Sequence, residues 1–88
     1  IFAGCIVQAH AVIEENVILN SGVIIEHDSL VRRHTHMAPR TVVCGECSIG
    51  QSTFIGAGAI VIHSVTIGDG TVIPAGTCVH KNKIPVCG

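Results

Sequence analysis

The chain has no tryptophan, no tyrosine and two phenylalanines, and only 12% of its residues are charged. With a formal net charge of −1 and no basic patch, it lacks the footprint of a nucleic-acid-binding protein. No apolar run is long enough to span a membrane, and nothing at the start has the layout of a signal peptide. Cysteine is present but odd in number, at five. Cys44 and Cys47 have metal or redox spacing, yet no second pair completes a zinc set. The thiols read as reduced and structural, which suits the cytoplasm.

What the chain does have is a six-residue beat. Fourteen aliphatic residues fall on it, from Ile1, Val7 and Ile13 through Met37 and Ile49 to Ile73 and Val79, with no insertion. The residue two places before each is mostly small, as in Cys5, Ala11, Ser29, Thr35, Cys47 and Ala59. A small and a large inward residue separated by one outward residue make the inner face of a short strand. All ten glycines, and ten of the eleven charged residues, occupy the three positions after the beat in hexad phase; Lys83 is the exception. Those positions are corners. A hexad of strand plus corner is a solenoid signature.

Three hexads close a triangular coil of eighteen residues, on which Glu14 stacks on Arg32 and Glu15 on Arg33. Hexads alone also suit an open solenoid, so three-fold closure leans on familiar folds. The expectation is an all-β parallel helix of about five coils, one domain over residues 1–88.

The residue just before each large aliphatic points outward and should be polar on a wet strand face. Here the stripe Ile6, Ile24, Val42, Ile60 and Cys78 is apolar throughout. Such a stripe predicts a subunit interface, and three prisms side by side would bury it with closed symmetry.

The three corners differ in chemistry. One is bland. A second carries the Glu/Arg stacks. The third collects Gln8, Glu26, Cys44, Ile62 and His80, then Ala9, His27, Gly45, His63 and Lys81, then His10, Asp28, Glu46, Ser64 and Asn82. Four of the six histidines lie on this edge. Within it Glu26-His27-Asp28 offers a general base beside a carboxylate able to fix its tautomer. As a bare triplet it equally describes a solvated corner. His36 breaks the outward rule, sitting between Ile18 and Phe54 in its column. A polar ring there needs a partner, either a hydrogen bond across an interface or a ligand in an intersubunit cleft.

These hexads, with Ile49-Gly50, Ile55-Gly56 and Ile67-Gly68, resemble the left-handed β-helix acyltransferases. The run Gly22-Val23-Ile24-Ile25-Glu26-His27-Asp28, followed by His34-Thr35-His36, is similar to the sugar branch of that family, with the bacillosamine-pathway N-acetyltransferases and sialic-acid O-acetyltransferases. The left hand of the helix comes from this resemblance. So do a homotrimer, acetyl-CoA as co-substrate, a sugar amine or hydroxyl as acceptor, and no metal. Residue by residue, the resemblance implies His27 as catalytic base, Asp28 as the acid that orients it and His36 as a residue lining the acetyl-CoA site. Family members usually begin with a βαβ nucleotide-sugar domain and end with a Gly-x-Pro-Ala tail; neither is expected between Ile1 and Gly88.

Two rival readings stand beside this one. One is a non-catalytic trimeric β-helix module. The other is a metal enzyme like the γ-class carbonic anhydrases, disfavoured because His27 and His63 are two coils, on the order of 10 Å, apart. That family's third histidine would fall near Gly68.

Overall fold

The computed structural model of the chain describes residues 4–80. The in-phase Ile1, the corner residues Phe2, Ala3, Lys81 and Asn82, the pattern-breaking Lys83 and the closing Ile84-Pro85-Val86-Cys87-Gly88 lie outside them.

The described residues form thirteen two-residue strands: β1 (Ile6–Val7), β2 (Val12–Ile13), β3 (Ile18–Leu19), β4 (Ile24–Ile25), β5 (Leu30–Val31), β6 (His36–Met37), β7 (Val42–Val43), β8 (Ser48–Ile49), β9 (Phe54–Ile55), β10 (Ile60–Val61), β11 (Thr66–Ile67), β12 (Val72–Ile73) and β13 (Cys78–Val79). They stack into three parallel sheets, β1-β4-β7-β10-β13, β2-β5-β8-β11 and β3-β6-β9-β12. Every pairing joins residues eighteen apart, such as Ile24 with Val42 and His36 with Phe54. The chain is therefore a three-sided parallel β-helix, with just over four turns among the described residues.

The hexad pattern accounts for the core. The large aliphatics from Leu19 to Val79 are buried almost completely, and the small inward positions Val23, Ser29, Thr35, Thr41, Cys47, Thr53, Ala59, Val65 and Thr77 join them. In the first coil Val7 keeps 39% exposure, because no described coil covers it from below. Several small residues also hold corner carbonyls. Cys5 Sγ donates to Asn20 O at 2.8 Å, Ser29 Oγ to Cys44 O at 2.9 Å, Thr35 Oγ1 to Gly50 O at 2.9 Å and Cys47 Sγ to Ile62 O at 2.9 Å. Hydroxyl and thiol are thus suited to these positions by more than size, since a buried carbonyl needs a donor.

Corners close by one repeated device. The last corner residue of each described hexad has φ between 56° and 78°, whether glycine, as at Gly22 and Gly58, or not, as at His10, Asn16, Asp28 and Glu46. Its N–H donates to the middle corner carbonyl of the preceding coil, as from Asp28 to Ala9 at 3.1 Å and from Glu46 to His27 at 3.0 Å. Strand amides donate the other way, as from Ile24 to Thr41 at 2.9 Å.

Two sequence expectations need correction. Glu14 does pair with Arg32, Nε to Oε1 at 3.4 Å, and accepts from the Arg33 amide at 2.9 Å. Arg33, however, does not reach Glu15; its Nε donates to Gln51 Oε1 at 3.1 Å, one coil onward. The thiols are not uniformly reduced either: Cys5, Cys44 and Cys47 are free, whereas Cys78 is disulfide-bonded.

Glycine at the corners separates two physical demands. A Cβ on Gly56 would sit 2.4 Å from the Ala75 nitrogen, against backbone that cannot yield. A Cβ on Gly58 would meet nothing within 4 Å, and only its φ of +71° favours glycine. Asparagine tolerates that conformation, and Asn16 already holds it at the same hexad position. Gly56→Ala should therefore cost about 1–3 kcal/mol by overpacking, while Gly58→Asn should stay within about 0.5 kcal/mol of the parent. Urea unfolding of the two variants would check the contrast.

Candidate active site

The edge between the first and second sheets carries the candidate site. The corner linking β4 to β5 holds Glu26, His27 and Asp28. Asp28 adopts φ 59°, and His27 Nδ1 lies 3.1 Å from Asp28 Oδ2. The two side chains are 52% and 51% exposed, so the pair is open to a ligand. A carboxylate at Nδ1 selects the Nδ1–H tautomer and leaves Nε2 with a free lone pair.

The coils above shape this pair. Stacking puts Gly45 over His27 and His63 over Gly45, at successive eighteen-residue steps. A Cβ on Gly45 would lie 2.8 Å from His27 Nε2 and 2.9 Å from Cε1. The imidazole therefore occupies the space a side chain at position 45 would take. The same gap lets His63 approach: the two ring centroids are 6.4 Å apart, with planes at 60°. The expected separation of on the order of 10 Å holds for backbones two coils apart, not for rings that lean across a glycine. His63 Nε2 lies 3.5 Å from Glu46 Oε1, giving a second acid–histidine pair beside the first.

Cys44 completes the near surroundings. Burial, and then the Glu26 carboxylate, raise its pKa above the usual thiol range. It stays protonated at neutral pH and is no nucleophile. Cys47 faces the core, its pKa raised chiefly by burial, so the two thiols do not form a shared site.

His36 lies elsewhere. It is in β6, on the sheet opposite the His27 edge, so a single chain does not bring the two histidines together. Its polar partner is in the same chain. Asn20 Nδ2 lies 2.9 Å from His36 Nε2 and donates to the Met37 carbonyl at 3.2 Å. That amide nitrogen can only donate, so His36 Nε2 accepts and its proton sits on Nδ1. Phe54 meets the ring edge-on, with centroids 5.2 Å apart. Sequence reasoning missed Asn20, Gly45 and the Glu46–His63 pair. The last two were present in the eighteen-residue columns. Among the described residues no pocket forms, as expected where a prism offers flat faces and convex edges.

With that geometry in place, known proteins can be compared. Residues 46–81 match the model of the bacterial transferase hexapeptide, six repeats. Over those residues the chain carries the repeat of the bacterial hexapeptide transferases. It is 39% identical, over 71 residues, to UDP-3-O-acylglucosamine N-acyltransferase of Albidiferax ferrireducens, covering 81% of this chain and 22% of that one. Among solved structures it is similar to GDP-perosamine N-acetyltransferase of Caulobacter crescentus, crystallised with CoA and GDP-perosamine as a histidine-to-alanine variant. That match has a TM-score of 0.67 and 28% identity, and covers 89% of this chain and 46% of the other. A histidine-to-asparagine variant of the same enzyme, with the same two ligands, matches at TM-score 0.68. The chain thus spans less than half the length of either relative. Among its described residues no helix is long and apolar enough to cross a membrane.

The Gly45 slot makes a direct prediction. Gly45→Ala should displace the His27 ring while the coils stay stacked, because the clash falls on a mobile side chain rather than on backbone. The His27 ring signals in a proton–nitrogen NMR spectrum should shift, with circular dichroism unchanged. Unmoved His27 signals would count against the slot.

Proposed function

We propose that this chain carries the catalytic β-helix of an acyl-CoA-dependent sugar acyltransferase, transferring acetyl from acetyl-CoA to an amino group of a nucleotide-linked sugar. The observation that carries the reading is the exposed His27–Asp28 pair at 3.1 Å on one edge of a hexapeptide helix. It is supported by solved relatives that hold CoA and a nucleotide sugar. Both named relatives act on nitrogen, which favours the amine over the hydroxyl.

In this reading Asp28 fixes the Nδ1–H tautomer of His27, and Nε2 takes the proton from the acceptor nitrogen as that nitrogen attacks the thioester carbonyl. The C–S bond breaks, and the imidazolium returns its proton to the departing thiolate of CoA. Asp28 steadies the imidazolium between the two steps. His36 lines the CoA site. Because it lies on the sheet opposite the His27 edge, it joins His27 only if the edge of one chain docks against the face of another. A homotrimer with three such clefts meets that requirement with closed symmetry, and supplies the concavity that a lone prism lacks. In this reading the reaction is cytoplasmic, where an acyl-CoA donor is available.

His27→Ala should lower acetyl transfer by a factor of about 10² or more, and Asp28→Asn by less. His36→Ala should weaken acetyl-CoA binding more than turnover. The assay is thioester cleavage with a panel of amino- and hydroxy-sugar nucleotides. Unchanged turnover in His27→Ala would sink the mechanism, and turnover with hydroxyl acceptors alone would overturn the amine. No acetyl-CoA binding and no turnover in the parent would favour a purely structural trimeric module.

Assembly has its own test. Ile24→Glu, on the apolar stripe of β4, should shift a sedimenting trimer towards monomer, since the charge would lose water without gaining a partner. A parent that sediments as a stable monomer at micromolar concentration would remove the trimer altogether.

A further inference from the structure

We propose that the His27 edge is also a binding site for a zinc-type divalent metal ion, formed within one chain by His27, Asp28, Glu46 and His63. One donor atom from each of His27, Asp28 and Glu46 lies within 4.8 Å of the other two. His63 adds a fourth, its Nε2 3.5 Å from Glu46 Oε1. A tetrahedral ion with bonds of roughly 2.0–2.2 Å needs donors roughly 3.3 Å apart. Side-chain rotation closes that difference for the first three and must swing the His63 ring further, from a centroid distance of 6.4 Å to His27; all four groups are exposed, and the coils beneath them are held by hydrogen bonds.

The donor set indicates which ion. Two imidazoles with two carboxylates suit zinc and its neighbours, whereas calcium and magnesium take oxygen ligands. The charge around the site agrees. Among the described residues, this edge carries the carboxylates of Glu26, Asp28 and Glu46 and no lysine or arginine.

Gly45 is the second, independent observation. Two histidines two coils apart would ordinarily be separated by the side chain between them. Here that side chain is missing, His27 fills the gap, and the rings come to 6.4 Å. The three stacked corners thus bring two imidazoles and two carboxylates together on one exposed edge. An ion bound there would engage an imidazole nitrogen of His27 and draw the Asp28 carboxylate away from its 3.1 Å contact with Nδ1, so metal binding and base action by this pair exclude each other.

The test reads binding directly and is independent of any transferase activity. Untagged, chelator-treated protein is titrated with zinc chloride in a calorimeter, and circular dichroism confirms that each variant is folded. One ion should bind per chain. Glu46→Gln and His63→Ala, both at exposed positions, should each weaken binding by about tenfold or more, in line with the cost of disturbing a metal's surroundings. His34→Ala, on a different edge, should leave the affinity unchanged. No zinc uptake, a smaller loss in either of the first two variants, or an equal loss in His34→Ala would overturn the proposal.

Discussion

Each coil of this protein exists only because of the coils beside it. A strand of two residues has too few ladder bonds to persist alone. Here the strand amides donate to the next coil, and the last corner amide donates to the previous one. Every hexad of the inner coils is therefore held from both sides. This coil-to-coil hydrogen bonding forces the register of eighteen residues, and the register decides everything else. The large aliphatics stack into one continuous core, and the small hydroxyl and thiol residues between them hold the corner carbonyls.

The same register organises the chemistry. Residues eighteen apart are neighbours at about 4.8 Å, the spacing of parallel strands, so an edge of the prism is a column of side chains drawn from distant parts of the sequence. A column can concentrate charged groups, as the second edge does where Glu14 pairs with Arg32 and accepts from the Arg33 amide. It can also leave a gap. At Gly45 the gap receives the His27 ring and allows His63 to come near. A residue with no side chain thus shapes the site as much as the histidine it accommodates.

The faces impose a complementary limit. His27 is on an edge and His36 on the opposite sheet, and a straight prism has no means of folding one onto the other. The polar ring of His36 is stabilised locally by the Asn20 amide and the Phe54 ring. It therefore does not require a partner subunit for its own hydrogen bond, contrary to the simplest reading of a histidine on an apolar stripe. Its Nδ1–H is left to point a donor elsewhere, a role a ligand or a neighbouring chain can use.

Much of this was legible in the sequence because a solenoid translates spacing into space without ambiguity. The hexad beat determined the strands, the inward and outward faces, the corners and, once coils of eighteen were assumed, the column containing His27, Gly45 and His63. The His27–Asp28 pair followed from adjacency in the chain, and the structure joins those two atoms as expected. The tertiary structure alone decided how side chains lean within a column. Arg33 turned to Gln51 instead of Glu15, and the two histidines converged where backbone spacing held them apart. The reason is physical. Backbone position follows from a repeating hydrogen-bond ladder that a sequence can encode with period six. The direction of a side chain depends on which neighbouring volume is empty, and that is a property of three coils together.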